Sequence, residues 1–390
     1  MHQRRFIKRV LIAHQSTIPH YRVPFYNALE TLRPSAWRFD VVFDPSEVTT
    51  PSFFKEPLDV SQFKFPVTGV KSWSWKLFNR AISYQTFWRR AAGYDLVIVE
   101  NAVNNLTYPL CALHQLHGTK VAYWGHGKDR SVESRSIAKV ASELFKLWLT
   151  RRADGFFAYT QGVRAYLEAH GISPHRIFVV NNTIDILEQR RAFEKLLPER
   201  TAIRRRLGVE NKKVLLFIGR FTKNKRIDFL LRSFSILCEM DPGFHLLLVG
   251  SAGQLWLSYY LSVDKADSVS YFGPIVELDK LAPVYIASDL FVFPGSVGLG
   301  PLQALCYDLP VITIDSPTHM PEIEYLSPTN AIVLARATTP EEYAQAIVHL
   351  FNDRARISAL KAGSWPSIRH LTVEQMAHNF IAGVNRILDS

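Results

Sequence analysis

The chain has 390 residues, of which 47% are hydrophobic, and it carries a net charge of +11 at pH 7. At roughly 150 residues per domain, this length predicts two or three domains, each large enough for a buried core. No stretch approaches the ~18 apolar residues that a bilayer-spanning helix needs, and the run Val10–Ala13 is too short for a signal-peptide core. The three separated cysteines exclude a disulfide framework or a zinc site, so we expect a cytoplasmic protein.

Short apolar runs alternate with helical patterns along the chain. Such runs are typical of buried parallel strands. The helical patterns include Asp228–Glu239 and Pro340–Asn352. The predicted strands are Val10–Ala13, Phe39–Phe43, Leu96–Val99, Lys120–Tyr123, Gly155–Ala158, Ile177–Val180, Val214–Ile218, His245–Val249, Val269–Phe272, Leu290–Phe293, Val311–Ile314 and Ala331–Val333.

This alternation predicts an α/β protein of two Rossmann-like, doubly wound parallel-sheet domains that face each other across a cleft. A polar, charged stretch at residues 181–206 follows the sixth strand, and we place the boundary near its start. The predicted domains are therefore residues 1–185 and 186–365. In open parallel sheets, ligands bind beyond the carboxyl ends of the strands, so the loops there are the candidate site.

The segment Lys71–Arg90 is rich in basic and aromatic residues. It holds five lysines and arginines, six aromatic residues and no acid. We predict an amphipathic helix that contacts an anionic membrane surface; the alternative is a core-packed helix with a solvated basic edge. Residues 1–190 hold 25 Lys and Arg against 15 Asp and Glu, a net of +10, whereas residues 191–390 hold 21 against 20. The basic half therefore predicts an anionic partner: phospholipid, nucleic acid or a phosphorylated carrier.

Two loops of the second half carry the residue types that bind a phosphate. After Val214–Ile218 come Gly219, Arg220 and Lys225; the glycine permits close backbone approach, and the two cations could converge on a pyrophosphate. The alternative is a solvated basic loop. After Leu290–Phe293, the glycine-rich run 294–300 enters a helix predicted from Pro301, whose free N–H groups favour phosphate. Gln303 in its first turn could hydrogen-bond a ribose hydroxyl.

These segments, in this order and spacing, resemble glycosyltransferase family four of the two-Rossmann-domain (GT-B) superfamily, and in particular bacterial members that assemble polysaccharides. The family pattern is a strand with Gly-Arg-x-x-x-x-Lys, then a Glu-x7-Glu box before a Pro-Val-Ile strand. The matching positions are Gly219, Arg220, Lys225, Pro294, Gly298, Leu299, Pro301, Ala304, Pro310 and Val311. Residues 18–29, 180–185, 287–294 and 319–323 resemble further family segments, and residues 366–390 resemble the family's C-terminal crossover helix back to the first domain.

The resemblance implies roles for individual residues. His126, between two glycines at a strand end, occupies the place of a family histidine that touches the donor sugar; the alternative is a loop histidine without a ligand. With it we assign Arg220 and Lys225 as catalytic. The donor-binding candidates are Gly219, Gly298, Leu299, Gly300, Gln303 and Glu322. Weaker acceptor-side candidates, from loops after the first and third strands, are His20, Tyr21, Arg22 and Asn104.

The two glutamates of the family box fall on Gly295 and Gln303. Gln303 can still hydrogen-bond a ribose, but Gly295 has no side chain, so the usual contact to the donor sugar is missing. This departure puts the identity of the sugar, and less strongly the activity itself, in question.

The predicted reaction is glycosyl transfer with retention at the anomeric carbon, from a nucleotide-diphosphate sugar to a glycan or lipid-linked acceptor. The chain has no Asp-x-Asp sequence, so we expect neither a metal nor another cofactor. Three alternatives remain open: a sugar-nucleotide epimerase of the same fold, a catalytically silent nucleotide-sugar binding protein, and a nucleic-acid binder. The chain has no recognised nucleic-acid-binding motif, so we expect no nucleic-acid partner.

Overall fold

The computed structural model describes residues 7–45, 59–77, 80–130, 137–251 and 266–390. The chain divides into two compact units, one formed by residues 1–184 with 373–390 and the other by residues 185–372. Each unit is an α/β domain built on a parallel sheet, as the alternation of apolar runs predicts. The predicted fold class of two parallel-sheet α/β domains is therefore confirmed.

The first unit contains nine described strands: Lys8–Ala13 (β1), Trp37–Phe43 (β2), Val67–Gly69 (β3), Ser72–Leu77 (β4), Arg80–Gln85 (β5), Leu96–Glu100 (β6), Lys120–Gly125 (β7), Gly155–Ala158 (β8) and Ile177–Val179 (β9). Seven of them form a parallel sheet in the order β3-β2-β1-β6-β7-β8-β9, and two hydrophobic clusters cover its faces. Strands β4 and β5 form a separate two-stranded sheet of this unit. Its helices are Val23–Leu32 (α1), Trp88–Ala91 (α2), Thr107–Cys111 (α3), Ile137–Arg152 (α4) and Gln161–Ala169 (α5).

The prediction of an amphipathic helix over residues 71–90 is wrong. Strands β4 and β5 form an antiparallel hairpin there, in which Trp73 pairs with Tyr84 and their rings stack at 6.0 Å. The reason is the period-two alternation of serine and tryptophan in Ser72–Trp75, which suits a strand better than a helix. Residues 78–79 lie outside the described part of the chain.

The second unit contains a sheet of six described strands in the order β12-β11-β10-β13-β14-β15, again parallel. Its strands are Lys213–Ile218 (β10), Phe244–Val249 (β11), Val269–Tyr271 (β12), Leu290–Phe293 (β13), Val311–Ile314 (β14) and Ala331–Leu334 (β15). Its described helices are Ile186–Leu196 (α6), Arg200–Arg206 (α7), Ile227–Met240 (α8), Leu278–Ala287 (α9), Gly300–Leu305 (α10), Pro340–Asn352 (α11) and Arg354–Ile368 (α12). Strands β10, β11 and β13 are almost entirely buried, which explains why the sequence shows them as continuous apolar runs.

The last helix, Val373–Leu388 (α13), belongs to the first unit. Phe380 stacks on Phe157 of β8 at 4.3 Å. A β-carbon on Gly383 would lie 2.6 Å from the Phe157 ring, so the missing side chain permits this close packing of helix on sheet. Residues 366–372, which we placed in the returning segment, belong to the second unit because α12 continues to Ile368.

Candidate active site

Each sheet has a switch point, where the chain changes the direction in which it adds strands. In the second unit the switch lies between the neighbouring strands β10 and β13, because β10 continues outward to β11 and β12 before the chain returns to β13. Ligands of doubly wound folds bind at such points, beyond the carboxyl ends of the strands. The loops there are residues 219–226 and 294–299, the two that the sequence singles out.

Lys225 connects these two loops. Its Nζ donates a hydrogen bond to the carbonyl oxygen of Ser296 and lies 5.1 Å from the centroid of the Phe293 ring. Burial of the ammonium and, to a smaller extent, the positive charge of Arg220 lower the pKa of Lys225 to about 8, while the carboxylate of Glu322 acts in the opposite direction. A cation held beside apolar and carbonyl groups, with few water molecules around it, interacts strongly with any anion that reaches it.

Arg220 lies at the start of the same loop and is exposed. The backbone beneath it is fixed, since Gly219 N donates to Val249 O at 3.0 Å and Phe221 N donates to Ser251 O at 2.9 Å. Arg220 therefore projects from an anchored turn, and its charge acts on the Lys225 ammonium. The structure brings these two predicted cations into one electrostatic group.

Gly295 is packed against the Lys225 loop. A β-carbon at Gly295 would lie 2.5 Å from the carbonyl oxygen of Asn224 and 2.5 Å from Cα of Lys225. The neighbouring Ser296 N donates to Asn224 O at 2.8 Å, so the two backbones are directly joined. Where the family pattern has a glutamate, this chain has room only for glycine. The sequence identifies the substitution; the close approach of the basic loop to this position is a feature of the tertiary structure.

A histidine that the sequence analysis left without a role supports the glycine-rich loop. His319 Nδ1 accepts a hydrogen bond from Val297 N at 3.0 Å, so Nε2 carries the proton and donates to Ile314 O at 2.9 Å. Glu322, a donor-binding candidate, follows on the next short helical turn and is 4% exposed. Residues Pro294–Val297 are buried, whereas Gly298, Leu299 and Gly300 are partly exposed, so the loop presents its second half to solvent.

Gln303 is oriented by a second glutamine. Its Nε2 donates to Gln189 Oε1 at 3.1 Å, and the same oxygen accepts from the hydroxyl of Tyr307 at 2.9 Å. Gln189 lies on α6, 114 residues earlier in the chain, so no local pattern could have identified it.

In the first unit, His126 directly follows β7 and is exposed, whereas the glycines on both sides of it are buried. Its ring packs edge-on against Tyr159 at 4.6 Å, and the flanking Gly125 and Gly127 have φ values of 154° and 73°. A left-handed backbone on both sides explains the glycines and fixes the turn that carries the histidine.

The acceptor-side candidates differ in accessibility. His20 and Asn104 are exposed and Tyr21 is half-buried, whereas Arg22 is only 2% exposed. Arg22 Nη2 donates to Asn182 Oδ1, Nη1 points to Met376 Sδ at 3.6 Å, and the guanidinium lies 5.1 Å from the Trp124 centroid. These are the contacts of a buried group that ties the first helix region to α13.

The sequence analysis missed a hydrogen-bonded chain at the switch point of the first unit, between β1 and β6. His14, the residue after β1, bonds through Nδ1 to Glu100 Oε1 at 3.0 Å, and its Nε2 accepts from the hydroxyl of Tyr26. Desolvation keeps the pKa of the Tyr26 phenol well above its usual value, so it remains a donor. The sequence signal for this chain was a histidine directly after the first strand, β1, combined with a glutamate at the end of the neighbouring strand β6.

Comparison with known proteins agrees with this geometry. Residues 21–183 match the family described as "Glycosyl transferase 4-like domain", and residues 212–353 match "Glycosyl transferases group 1". Together the two matches cover more than three quarters of the chain. The chain belongs to the family-four glycosyltransferases.

Among curated members of this group, a D-inositol 3-phosphate glycosyltransferase of Thermobispora bispora is 28% identical to this family-four chain over 222 residues, 53% of this chain and 49% of the relative. The chain thus spans about half the length of that curated relative. HepE of Anabaena, solved in complex with UDP, has the same fold, with a TM-score of 0.70 at 15% identity over 97% of this chain and 99% of HepE. A putative UDP-N-acetylglucosamine 2-epimerase of Listeria monocytogenes shares the fold as well, with a TM-score of 0.63 at 13% identity over 97% and 95% of the two chains.

Within the described residues of this family-four chain, no group of three or more histidine, cysteine, aspartate or glutamate side chains is arranged to hold a metal ion. None of the described helices combines the length and the apolarity that a bilayer-spanning segment requires.

Proposed function

We propose that the chain transfers a glycosyl group, with retention, from a nucleotide-diphosphate sugar to a glycan or lipid-linked acceptor in cell-surface polysaccharide synthesis. The observation that carries this proposal is the placement of Lys225. Its ammonium lies at the switch point of the second sheet, bonded to the glycine-rich loop and coupled to the charge of Arg220. The family to which the chain belongs supports the reaction type.

The transfer reaction requires fixed positive charge beside the leaving diphosphate. As the bond between the anomeric carbon and the diphosphate breaks, negative charge grows on the leaving oxygen. Arg220 offers a forked donor to the phosphates, and Lys225 offers a partly desolvated point charge. An approaching pyrophosphate raises the pKa of Lys225 from about 8 and keeps the ammonium protonated during the reaction. We propose that these two cations replace a metal ion.

The donor nucleotide is assigned to the second unit. HepE was also solved with UDP-glucose, which supports a uridine diphosphate sugar as the donor. In the proposal Gly219 permits close approach of the diphosphate, the partly exposed Gly298, Leu299 and Gly300 offer backbone N–H groups, and Gln303 binds the ribose. The carboxylate of Glu322 raises the pKa of Lys225 and so contributes to donor binding electrostatically.

The acceptor step rests on the family resemblance. The departing phosphate oxygen takes the proton of the acceptor hydroxyl on the same face of the sugar, so no carboxylate nucleophile is required. His126 hydrogen-bonds a sugar hydroxyl or the leaving phosphate, and its fixed glycine turn supports this assignment. The exposed His20 and Asn104, with the half-buried Tyr21, are assigned to the acceptor. The net charge of +10 on residues 1–190 supports a protein that works at the inner face of the plasma membrane.

The decisive experiment has two stages. A panel of nucleotide sugars is first screened by thermal shift, because a ligand that binds the native state raises the melting temperature. The donor found is then used in turnover assays with Arg220→Ala and Lys225→Ala, each expected to lower kcat/KM by about 100-fold or more. Arg232→Ala, an exposed ion-pair residue on α8, is the matched control and should retain full turnover. Near-normal turnover by both site variants would overturn the assignment.

The same assays separate the alternatives. Conversion of the donor sugar without any acceptor would identify an epimerase. Binding without turnover over a broad acceptor panel would identify a silent nucleotide-sugar binder, a reading that the glycine at position 295 favours.

A further inference from the structure

Helix α4 carries apolar side chains on the side that faces solvent. Surface helices normally bury one apolar stripe and expose charged residues on the opposite face. In α4 the buried face includes Leu147, Leu149 and even the aliphatic stem of Lys146. The exposed face holds large apolar residues at spacings of three and four: Ile137 (90% exposed), Val140 (47%), Leu144 (60%) and Trp148 (44%), with Phe145 (43%) beside them.

This outer face ends in positive charge. Arg151 and Arg152 form the last turn and are exposed, and the Arg152 guanidinium lies 3.8 Å from the centroid of the Trp148 ring, which itself stacks on Phe145. The acidic residue of this helix, Glu143, accepts a hydrogen bond from the Tyr166 hydroxyl and forms an ion pair with Lys146. The described outer face therefore combines aliphatic, aromatic and cationic groups without a carboxylate.

A second apolar stripe adjoins it. Residues 106–117 comprise Leu106, helix α3 and a short 3-10 helix, and their exposed large apolar side chains are Leu106, Leu110, Leu113 and Leu116, the last 82% exposed. Gln115 Nε2 donates to Arg152 O at 3.0 Å, which places the end of this segment against the end of α4. On its other side Trp88 Nε1 donates to Leu110 O at 3.3 Å, and the exposed Arg89 and Arg90 follow directly.

The β4–β5 hairpin continues the same surface. Ser83 N donates to Asn104 O, and Leu106 N donates to Ser83 O, both at 2.8 Å, so the hairpin is hydrogen-bonded to the start of the leucine segment. Trp73 and Trp75, two residues apart on β4, are both exposed. Exposed apolar area of this extent on three adjoining elements marks an interaction site.

We propose that this surface, formed by α4, residues 106–117 and the β4–β5 hairpin, docks the first unit on an anionic lipid bilayer. Apolar side chains enter the interface, tryptophans occupy the headgroup level, and Arg89, Arg90, Arg151 and Arg152 pair with lipid phosphates. The absence of acids on the described outer face of α4 and the basic excess of residues 1–190 fit a negatively charged surface. The proposal rests on the proposed function only in that docking would bring the chain to a lipid-linked acceptor.

Vesicle sedimentation of the full chain, without donor or acceptor, tests the surface independently of transfer activity. The chain should bind vesicles with about 30 mol% phosphatidylglycerol far more tightly than pure phosphatidylcholine vesicles. The double variant Leu144→Ser, Trp148→Ser should lose at least about tenfold in affinity, because two large apolar groups no longer enter the interface. Met240→Ser, an exposed apolar residue of α8 in the second unit, is the matched control and should bind normally.

Charge is tested separately. Arg152→Gln should weaken binding to the anionic vesicles by about fivefold, as expected for one interfacial cation, while Arg232→Gln in the second unit should not. Circular dichroism should show every variant folded, since the replaced side chains are exposed. Equal binding to neutral and anionic vesicles, or unchanged binding by the double variant, would overturn the proposal. Self-association of the chain that the double variant abolishes, without vesicle binding, would assign the surface to a protein partner and overturn it as well.

Discussion

Gly295 and Lys225 are in backbone contact: a β-carbon on the glycine would lie 2.5 Å from Cα of the lysine. The basic loop thus occupies the space in which the family pattern places a glutamate side chain. The glycine-rich loop and the basic loop are consequently packed against each other, and we expect a change at either residue to affect the other.

Gly295→Ala should therefore destabilise the second unit. The added methyl group meets backbone atoms, which cannot turn aside, and we expect the free energy of unfolding to fall by about 1–3 kcal/mol. Gly298→Ala is the control, because nothing lies within 4 Å of a β-carbon there, and its effect should stay below about 0.5 kcal/mol. Chemical denaturation of both variants measures the difference. Equal losses would show that the contact at position 295 is not tight in solution.

Binding of the donor should depend on pH through Lys225. Its pKa of about 8 means that the ammonium is largely protonated at neutral pH and loses its proton as the pH rises. Since only the charged form attracts the diphosphate, affinity for UDP should fall about tenfold between about pH 7 and pH 9. Isothermal titration calorimetry measures this, and buffers of different ionisation enthalpy should reveal proton uptake on binding at the higher pH.

Lys225→Arg is the control for this pH dependence. A guanidinium remains charged throughout the range, so the variant should lose the pH-dependent fall in affinity. Arg220→Ala should move the midpoint upward, because removal of a nearby positive charge raises the pKa of Lys225. The same pH profile for the wild type and Lys225→Arg would show that another group titrates.

The pair of glutamines on α6 and α10 should act as a unit. Gln303→Ala removes the proposed ribose contact and should weaken UDP binding by about five- to tenfold. Gln189→Ala leaves Gln303 in place but releases its amide, so a smaller loss is expected. In a double-mutant cycle the two effects should not add, since Gln189 acts only through Gln303. Fully additive effects on UDP affinity would show that Gln189 and Gln303 act independently.

Arg22 should matter for stability more than for substrate affinity. Arg22→Ala removes a buried guanidinium together with its hydrogen bond to Asn182 and should lower the free energy of unfolding by about 2–4 kcal/mol. Arg164→Ala, which breaks a partly exposed i,i+4 ion pair with Glu168 on α5, should cost under about 1 kcal/mol. Urea unfolding followed by tryptophan fluorescence reports mainly on this unit, because six of the eight tryptophans lie in residues 1–184. A small Arg22 effect together with a raised KM for the acceptor would instead support a substrate contact.

All twelve predicted strands are present, most within one or two residues of their predicted bounds, because a strand buried on both faces must be apolar throughout. The strands that were missed, β3 and the β4–β5 hairpin, are short or half-exposed and do not show such a run. In residues 71–90, aromatic and basic residues fit a helix face by chance, whereas the alternation of serine and tryptophan reflects the strand.

The residues of the candidate site likewise include some that the sequence could predict and some that it could not. Gly219, Arg220, Lys225 and Gln303 were predictable because each stands at a strand end or a helix start, positions that local patterns mark. Three residues that support them were not predictable: Ser296, the partner of Lys225; Gln189, the partner of Gln303; and His319, which bonds Val297. Contacts between residues 22 to 114 positions apart leave no periodic trace in the sequence.

The order of apolar runs and loops in the amino-acid sequence was sufficient to establish two parallel-sheet domains, the family, and the two cations beside a glycine-rich turn. Folding in three dimensions added what depends on distance and solvent: the lowered pKa of Lys225, the tight fit at Gly295, the burial of Arg22 and the apolar outer face of α4. Hydrophobic burial of whole segments is recorded locally in the chain as period and composition. The desolvation, charge and exposure of a single side chain depend on neighbours that are brought together only when distant segments pack.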